Sequence, residues 1–459
     1  MNPLAWIILT AIAVDAGLNF TADLLNLKAV RTQLPEAMEG WYPPEAYQKS
    51  QAYLVVRTRF GWIARGFDLL VLLLFWFGGG FAWLDIWVRH LHWPAPWTGL
   101  LFIGALVGLK ALLAEPFSAY ATFGIEQRFG FNRTTWGTYI KDRIKSVVLA
   151  VVLGAPLLAA VLAFFEFAGA NAWWYCWLAV VAFMLLIQYI APTWIMPLFN
   201  RFDPLQEGAL RDAIMDYARR IDFKLDNIFV MDGSRRSSKS NAFFTGFGRH
   251  RRIVLFDTLI EKHSVDELLA VLAHEMGHYK EKHILKNLLI GILQAGLMFY
   301  ILSFFIAYKG LFDAFYVRQV SVHAGLIFFG ILFAPLDGYL GMALQALSRR
   351  HEYAADSFAV TTTGLGQALI LSLKKLSVHN LSNLQPHPFY VFLNYSHPPL
   401  LKRIQAIEDQ TLALNQHGGR IQCQGRLGAI SGRSFYGLDV DGLIVRLQGD
   451  GRVEQVLHR

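Results

Sequence analysis

The sequence predicts a mainly α-helical membrane protein with seven transmembrane spans. Of its 459 residues, 54% are hydrophobic and 14% are aromatic, and the mean hydropathy is +0.36. Only 17% are charged, against about 25% in soluble domains. Seven apolar stretches are long enough to cross a bilayer core about 30 Å thick. They lie at approximately 4–26, 67–89, 97–119, 146–168, 172–198, 284–307 and 323–347.

The placement of Lys and Arg predicts the orientation of these spans. Basic residues concentrate in the segments after spans one, three and five and are scarce in the loops between. Under the positive-inside rule, the N-terminus lies outside and the C-terminus in the cytoplasm. The first stretch lacks a basic start and contains Asp15, so we expect a retained span rather than a signal peptide. The net charge of +8 then reflects this asymmetry and contact with anionic lipid, and no nucleic acid is expected.

The string His274-Glu275-Met276-Gly277-His278 is an HExxH motif and predicts a hydrolytic zinc site. On a helix, the two histidines lie on one face and can reach one cation, with the Glu beside it to accept a proton from water. A capping box at Ser264 and Glu267 predicts the start of this helix. It is expected to run from 265 to about 282, with a continuation into span six left open. The alternative is two surface histidines on an amphipathic helix.

A third protein ligand is expected downstream, because a catalytic zinc site takes three protein ligands and one water. Glu352 and Asp356 lie one helical turn apart, so Glu352 could bind the metal while Asp356 orients a ligand histidine. Arg349, one turn earlier, could neutralise this acidic cluster. On its own, the stretch is more typical of a solvated helix with ion pairs. The predicted topology nevertheless places Glu352 and HExxH on the same side of the membrane.

The remaining segments predict a small α+β region and a distinct tail. Residues 204–221, 364–380 and 399–414 are typical of helices, and Asn227–Met231 and Arg252–Phe256 of short strands. Residues 416–459 are rich in Gly and predict a small β-hairpin appendage of unknown role. No disulfide is expected between Cys176 and Cys423. The predicted divisions are 1–200 (spans one to five), 201–283 (peptidase region), 284–347 (spans six and seven), 348–415 (third-ligand region) and 416–459 (appendage).

Four sequence blocks together resemble the Ste24-type CAAX prenyl proteases, which are integral-membrane zinc metallopeptidases of the M48 class. The blocks span roughly residues 20 to 410 in the family's order. They are Pro116–Ser118 through Asn132, Ser237–Phe247 with Arg252–Leu259, HExxH through His283, and Ser348–Asp356 with Asn394–Pro399. The resemblance implies seven long helices enclosing a large intramembrane chamber, with the zinc-peptidase site near its cytoplasmic end.

The resemblance also implies residue roles. His274, His278 and Glu352 would bind one zinc ion, and Glu275 would be the general base. Asp356 and Arg349 would support the site.

Two further elements would contact the substrate. Asn241, with Ala242 and Phe243, would belong to an edge strand that holds the substrate backbone by β-addition. His397 would steady the oxyanion, although a structural histidine before a Pro-Pro turn is an equal alternative.

The predicted function is therefore zinc-dependent peptide-bond hydrolysis at the cytoplasmic face of a membrane. The substrate would be a peptide or protein, prenylated or not, and lipid would surround the spans. Short loops and the unfamiliar tail favour a bacterial inner membrane over an endoplasmic reticulum. The alternatives are an HtpX-like quality-control protease, a channel-like or transporter-like chamber with a vestigial peptidase, and a membrane-embedded scaffold.

Overall fold

The computed structural model describes residues 2–31, 33–225, 227–245 and 252–416, and the backbone of three short strands between 436 and 457. Its described part contains seven helices long and apolar enough to cross a membrane, which confirms the predicted number of spans. These are Pro3–Lys28 (α1), Pro44–Phe77 (α2), Ala95–Glu126, Trp136–Phe167, Gly169–Leu198, His283–Phe305 and Val322–Thr363. A short helix α3, Gly80–Arg89, follows α2.

Three of the spans contain a widened π-helical turn. The third span is α4, Ala95–Tyr120, followed by a π turn at Ala121–Glu126. The fourth is α5, Trp136–Leu149, a π turn at Ala150–Gly154 and α6, Ala155–Phe167. The fifth contains α7, Ala172–Ile190, and a π turn at Ala191–Ile195. Pro156 and Pro192 lie beside or within these turns because proline cannot donate a backbone hydrogen bond.

The predicted bounds of span two, 67–89, were wrong. Helix α2 begins at Pro44 and ends at Phe77, and Gly79 then adopts a left-handed conformation with φ 70° before α3 begins. A glycine takes this conformation without the steric cost of a side chain. The apolar run therefore folds into two helices, and α2 extends far beyond its apolar part.

Each span contacts the rest of the protein through only a small part of its surface. Only 6% to 22% of the most apolar part of each span is buried. Polar side chains of different spans also pair with one another, as in the exposed hydrogen bond of 2.7 Å that Gln294 donates to Asp337. A cavity of about 440 Å³ lies between α1, α2 and the seventh span, with Asp15 in its wall. These features agree with a chamber between the helices, whose full extent stays a prediction.

A four-stranded sheet forms the centre of the peptidase region. The strands are Phe202–Pro204 (β1), Asn227–Met231 (β2), Ala242–Thr245 (β3) and Arg252–Phe256 (β4), in the order β1-β2-β4-β3. Strands β2 and β4 are parallel, and the two outer strands are antiparallel to their neighbours. The bounds of β2 and β4 match the prediction. Strand β1 was missed because its three residues, which end in a proline, carry no alternating pattern.

Helices cover this sheet and build one hydrophobic core with it. They are Ala209–Arg220 (α8), Asp257–Ile260 (α9) and Val265–Lys280 (α10). The predicted capping box of α10 is present, because Ser264 and Glu267 each accept a hydrogen bond from the other's backbone. Helix α10 ends at Lys280, and α11 is the separate sixth span, His283–Phe305. Lys282 between them has a φ of 58°, so the continuous helix left open by the sequence is not formed.

The seventh span, α13, is a helix of 42 residues, Val322–Thr363, or about 63 Å at 1.5 Å per residue. It is preceded by a short helix, α12, Lys309–Ala314. A bilayer core is about 30 Å thick. Helix α13 is therefore long enough to cross the membrane and continue into the peptidase region without a break. The predicted span 323–347 is only the first part of this helix.

The last described helices are Gly366–His379 (α14), Pro388–Asn394 (α15) and Leu400–Gln416 (α16). The tail contains three short strands, Tyr436–Leu438 (β5), Ile444–Leu447 (β6) and Val453–Leu457 (β7), paired antiparallel in that order. This is one strand more than the predicted hairpin. The thiol of Cys176 is buried in α7, 3.7 Å from the carbonyl oxygen of Val161, whereas Cys423 lies outside the described residues.

Candidate active site

Two helices from separate parts of the chain bring three side chains together that could hold a metal ion. Helix α10 presents His274 and His278 on one face, with their Nε2 atoms 3.2 Å apart. Helix α13 presents Glu352, whose carboxylate lies 3.5 Å from His274 Nε2 and 3.3 Å from His278 Nε2. Close packing of the helices is possible because Gly277 faces Ala355 and Phe358, where a Cβ atom would be tightly confined. The ligands predicted from the sequence thus meet at one point.

The spacing of these atoms fits a single tetrahedral ion. Bonds of about 2.0–2.1 Å at tetrahedral angles place neighbouring ligand atoms about 3.3–3.4 Å apart, and the three observed distances are 3.2, 3.3 and 3.5 Å. Glu352 is buried, and its Oε2 atom has no hydrogen-bond donor. A buried anionic oxygen without a donor is costly unless a cation satisfies it. The residues therefore fit a metal ion.

Asp356 supports the site from behind His274. Its Oδ1 atom lies 2.8 Å from His274 Nδ1, the ring nitrogen that faces away from the other ligands. Asp356 is itself bound by Arg403 of α16, with distances of 2.8 Å from Nε and 2.6 Å from Nη2. Arg403 also approaches Glu352 at 3.5 Å. One buried guanidinium therefore contacts both carboxylates of α13.

Arg403 was not predicted from the sequence, and the neutralising role that it has was predicted for Arg349. The structure instead directs Arg349 to the carbonyl oxygens of Val391 and Tyr395, at 3.3 and 2.5 Å. Val391 lies in the last turn of α15 and Tyr395 directly follows this helix, so both bonds are made at its C-terminal end. Arg349 thereby anchors the turn that leads to His397. No sequence pattern indicated a role for Arg403, because it lies on an amphipathic helix whose polar residues are expected to face solvent.

Glu275 lies between the two ligand histidines and is half-buried. Burial raises the pKa of its carboxyl group above the ordinary value, while the adjacent imidazoles His274 and His278 oppose this rise. A carboxylate with a raised pKa accepts a proton more readily. This is the property expected of a general base.

His397 reaches the open side of the site. Its Nε2 atom is 3.3 Å from Glu352 Oε1, although 63% of its side chain is exposed. The other ring nitrogen, Nδ1, is 2.9 Å from the hydroxyl of Ser396. The position is compatible with contact to a substrate, which a residue confined to the core could not make.

Strand β3 lies at the edge of the sheet and packs beside α10. One side of β3, Ala242 and Phe243 included, pairs with β4, and its other side has no partner strand among the described residues. Asn241 precedes β3. Its carbonyl oxygen accepts from Phe256 N at 3.1 Å, and its side-chain oxygen accepts from Ala242 N at 2.9 Å. An open strand edge beside the ligand helix can accept an extended peptide.

Comparison with known families divides the chain into two matched parts. Residues 23–201 match the family described as "CAAX prenyl protease N-terminal, five membrane helices". Residues 204–411 match peptidase family M48.

Individual relatives agree with this assignment over most of the chain. "CAAX prenyl protease 1" of Saccharomyces cerevisiae is 34% identical over 409 residues, which cover 83% of this chain and 90% of that protein. The Homo sapiens homologue is 36% identical over 348 residues, covering 67% and 73%. The crystal structure of S. mikatae Ste24p superposes with a TM-score of 0.80 at 33% identity, covering 89% of this chain and 99% of that chain.

We predict that Arg403→Met will destabilise the protein and reduce its bound metal. Removing one partner of a buried ion pair costs about 3–5 kcal/mol, because the remaining charge stays buried. Lys402→Met is the matched control, since Lys402 is the exposed cation next to it. Thermal unfolding in detergent and elemental analysis measure both effects. Equal unfolding temperatures and metal contents for the two variants would contradict the role given to Arg403.

Proposed function

This chain belongs to the M48 family of CAAX prenyl protease-type metallopeptidases, and from that membership we propose that it hydrolyses peptide bonds at one zinc ion held by His274, His278 and Glu352. As a family member with seven membrane helices, it is an integral-membrane metalloendopeptidase. The single observation that supports the ligand assignment is the mutual spacing of 3.2 to 3.5 Å among the three side chains. The comparisons do not favour an HtpX-like protease or a non-enzymatic chamber.

The proposal of zinc rests on the chemistry of the donors. Two imidazole nitrogens and one carboxylate form a ligand set typical of catalytic zinc, which keeps a fourth position for water. His274 Nδ1 beside Asp356 further suits such a site, because the carboxylate fixes which ring nitrogen carries the proton. When bound, zinc supplies Lewis-acid polarisation of the scissile carbonyl and makes water more acidic.

The protein's own residues would carry the proton transfers. Glu275 accepts the proton of the attacking water and delivers it to the leaving amine, for which its raised pKa is favourable. His397, on the open side of Glu352, donates a hydrogen bond to the oxyanion as negative charge develops. Asp356 and Arg403 hold His274 in place during both steps.

We propose that the substrate lies extended along the free edge of β3. Backbone hydrogen bonds to β3 would hold the peptide in register while Asn241 secures the start of the strand. The relatives are named CAAX prenyl proteases, which supports a C-terminal, prenylated substrate for this chain as well. The apolar cavity between α1, α2 and α13 offers an environment in which a lipid chain is soluble.

The proposed location of the site is the cytoplasmic face, with the N-terminus outside. This proposal rests on the basic segments after spans one, three and five, because such segments remain on the cytoplasmic side. The short loops support a bacterial inner membrane rather than an endoplasmic reticulum.

Glu275→Gln should retain the metal and lose peptidase activity. The amide cannot accept the water's proton, so we expect kcat to fall by about 10²–10⁴-fold with one metal ion still bound per chain. Glu281→Gln is the control, because Glu281 is exposed just after α10. Fluorogenic peptide assays and elemental analysis measure the two properties. Unchanged turnover in Glu275→Gln would remove the base assignment.

Prenylated and unprenylated forms of one CAAX peptide should both be cleaved, with the prenylated form having the higher kcat/KM. The physical reason is that burying each CH₂ group of the lipid stabilises binding by about 0.8 kcal/mol. Mass spectrometry of the products, with and without a zinc chelator, identifies the cleaved bond. Equal kcat/KM for both peptides would reject the lipid preference while leaving the peptidase assignment intact, whereas cleavage insensitive to the chelator would reject the metal mechanism.

A peptide substrate bound as an added strand should be sensitive to N-methylation at alternate positions. Along one strand, only every second N–H group points toward a given neighbour, so methylation there removes a hydrogen bond and the intervening positions tolerate the change. We expect kcat/KM to fall by about fivefold for each lost backbone bond, since such a bond contributes about 1 kcal/mol. A uniform response along the peptide would argue against β-addition.

A further inference from the structure

We propose that His283 is a positioning residue that fixes the ring of His278, an inference that rests on the metal-ligand role proposed for His278. His278 Nδ1 and His283 Nδ1 are 3.1 Å apart, within hydrogen-bonding distance. His283 is 3% exposed, so its ring cannot exchange this contact for water. Nothing in the HExxH pattern assigns His283 a role, because the pattern ends at His278.

The break between α10 and α11 is what allows these two rings to meet. On one continuous helix, residues five positions apart differ by about 140° around the axis and face different directions. Here α10 ends at Lys280, Lys282 has a φ of 58°, and α11 begins at His283. The left-handed conformation is unfavourable for a residue other than Gly by roughly 1–2 kcal/mol. The fold thus maintains a strained turn that returns His283 to the ligand helix.

The direction of the hydrogen bond follows from the proposed ligand geometry. His278 Nε2 faces His274 and Glu352, so this nitrogen is the metal ligand, and the proton of the neutral ring is on Nδ1. Nδ1–H then donates to the Nδ1 lone pair of His283, which is held as the tautomer protonated at Nε2. Metal-bound histidines commonly donate their second N–H in this way, and the acceptor fixes the ring orientation.

His351 holds the ring of His283 from the opposite helix. The two imidazoles stack with their centroids 3.9 Å apart and an angle of 14° between the planes. His351 directly precedes Glu352 in α13. The stack therefore connects His283, the acceptor for His278, to the segment of α13 that contains Glu352.

The two ligand histidines are consequently supported by different chemistry. His274 faces the carboxylate of Asp356 at 2.8 Å, whereas His278 faces a neutral imidazole. A neutral acceptor orients the ring with less added negative charge than a carboxylate. His283 thus positions His278 while preserving the electrophilic character of the bound ion.

The test compares acceptor-free and acceptor-bearing replacements of His283. His283→Phe keeps an aromatic ring against His351 but has no acceptor, and His283→Asn restores an acceptor oxygen. Zinc affinity is measured by competition with a chromophoric chelator, and kcat and KM with a peptide at saturating zinc. We expect a 10–100-fold loss of zinc affinity in the Phe variant, a lower kcat, a KM within about twofold of wild type, and recovery in the Asn variant.

Each result bears on the proposal. His379→Asn, a half-buried histidine at the end of α14, controls for the general loss of an imidazole. Zinc affinity of His283→Phe within twofold of wild type overturns the proposal, and so does equal loss in the Phe and Asn variants. If His283→Phe does not fold, His283→Leu replaces it, and failure of both to fold shows an architectural role instead. A wild-type protein that binds no zinc would contradict the proposed function itself.

Discussion

Compensation of buried negative charge governs the arrangement of this site. Three carboxylates belong to the site: Arg403 contacts those of Glu352 and Asp356, and Glu275 is close enough to Glu352 and Arg403 to interact with their charges. Three negative charges and one positive charge leave two negative charges. Isolated charges are very costly in a protein interior, and one divalent cation would restore neutrality.

The architecture meets this requirement with two helices of very different kinds. Helix α10 is buried over most of its length and is fixed by its capping box and by the core beneath the sheet. Helix α13 is an extension of a membrane span. Glu267 of α10 is in turn paired with Lys375 of α14 at 2.8 Å. The site is therefore assembled where the soluble core meets the bundle, and its geometry depends on both.

Sequence patterns predicted the elements that are determined by residues close to one another along the chain. HExxH and its capping box specify neighbours on a helix, and strands β2 and β4 have continuous apolar runs, so these were found with their correct bounds. Glu352 was identified from its pairing with Asp356 and from family resemblance. Arg403, Arg349 and His283 act across elements, and no spacing along the chain reveals which acceptor a long side chain reaches. The break at Gly78–Gly79 was missed because hydropathy is insensitive to backbone conformation.

The unbroken length of α13 has a geometric consequence for the candidate site. Glu352 lies 30 residues after the first residue of this helix, or about 45 Å along its axis. Because the span and Glu352 belong to one continuous helix, a tilt of the span in the membrane moves this carboxylate with it.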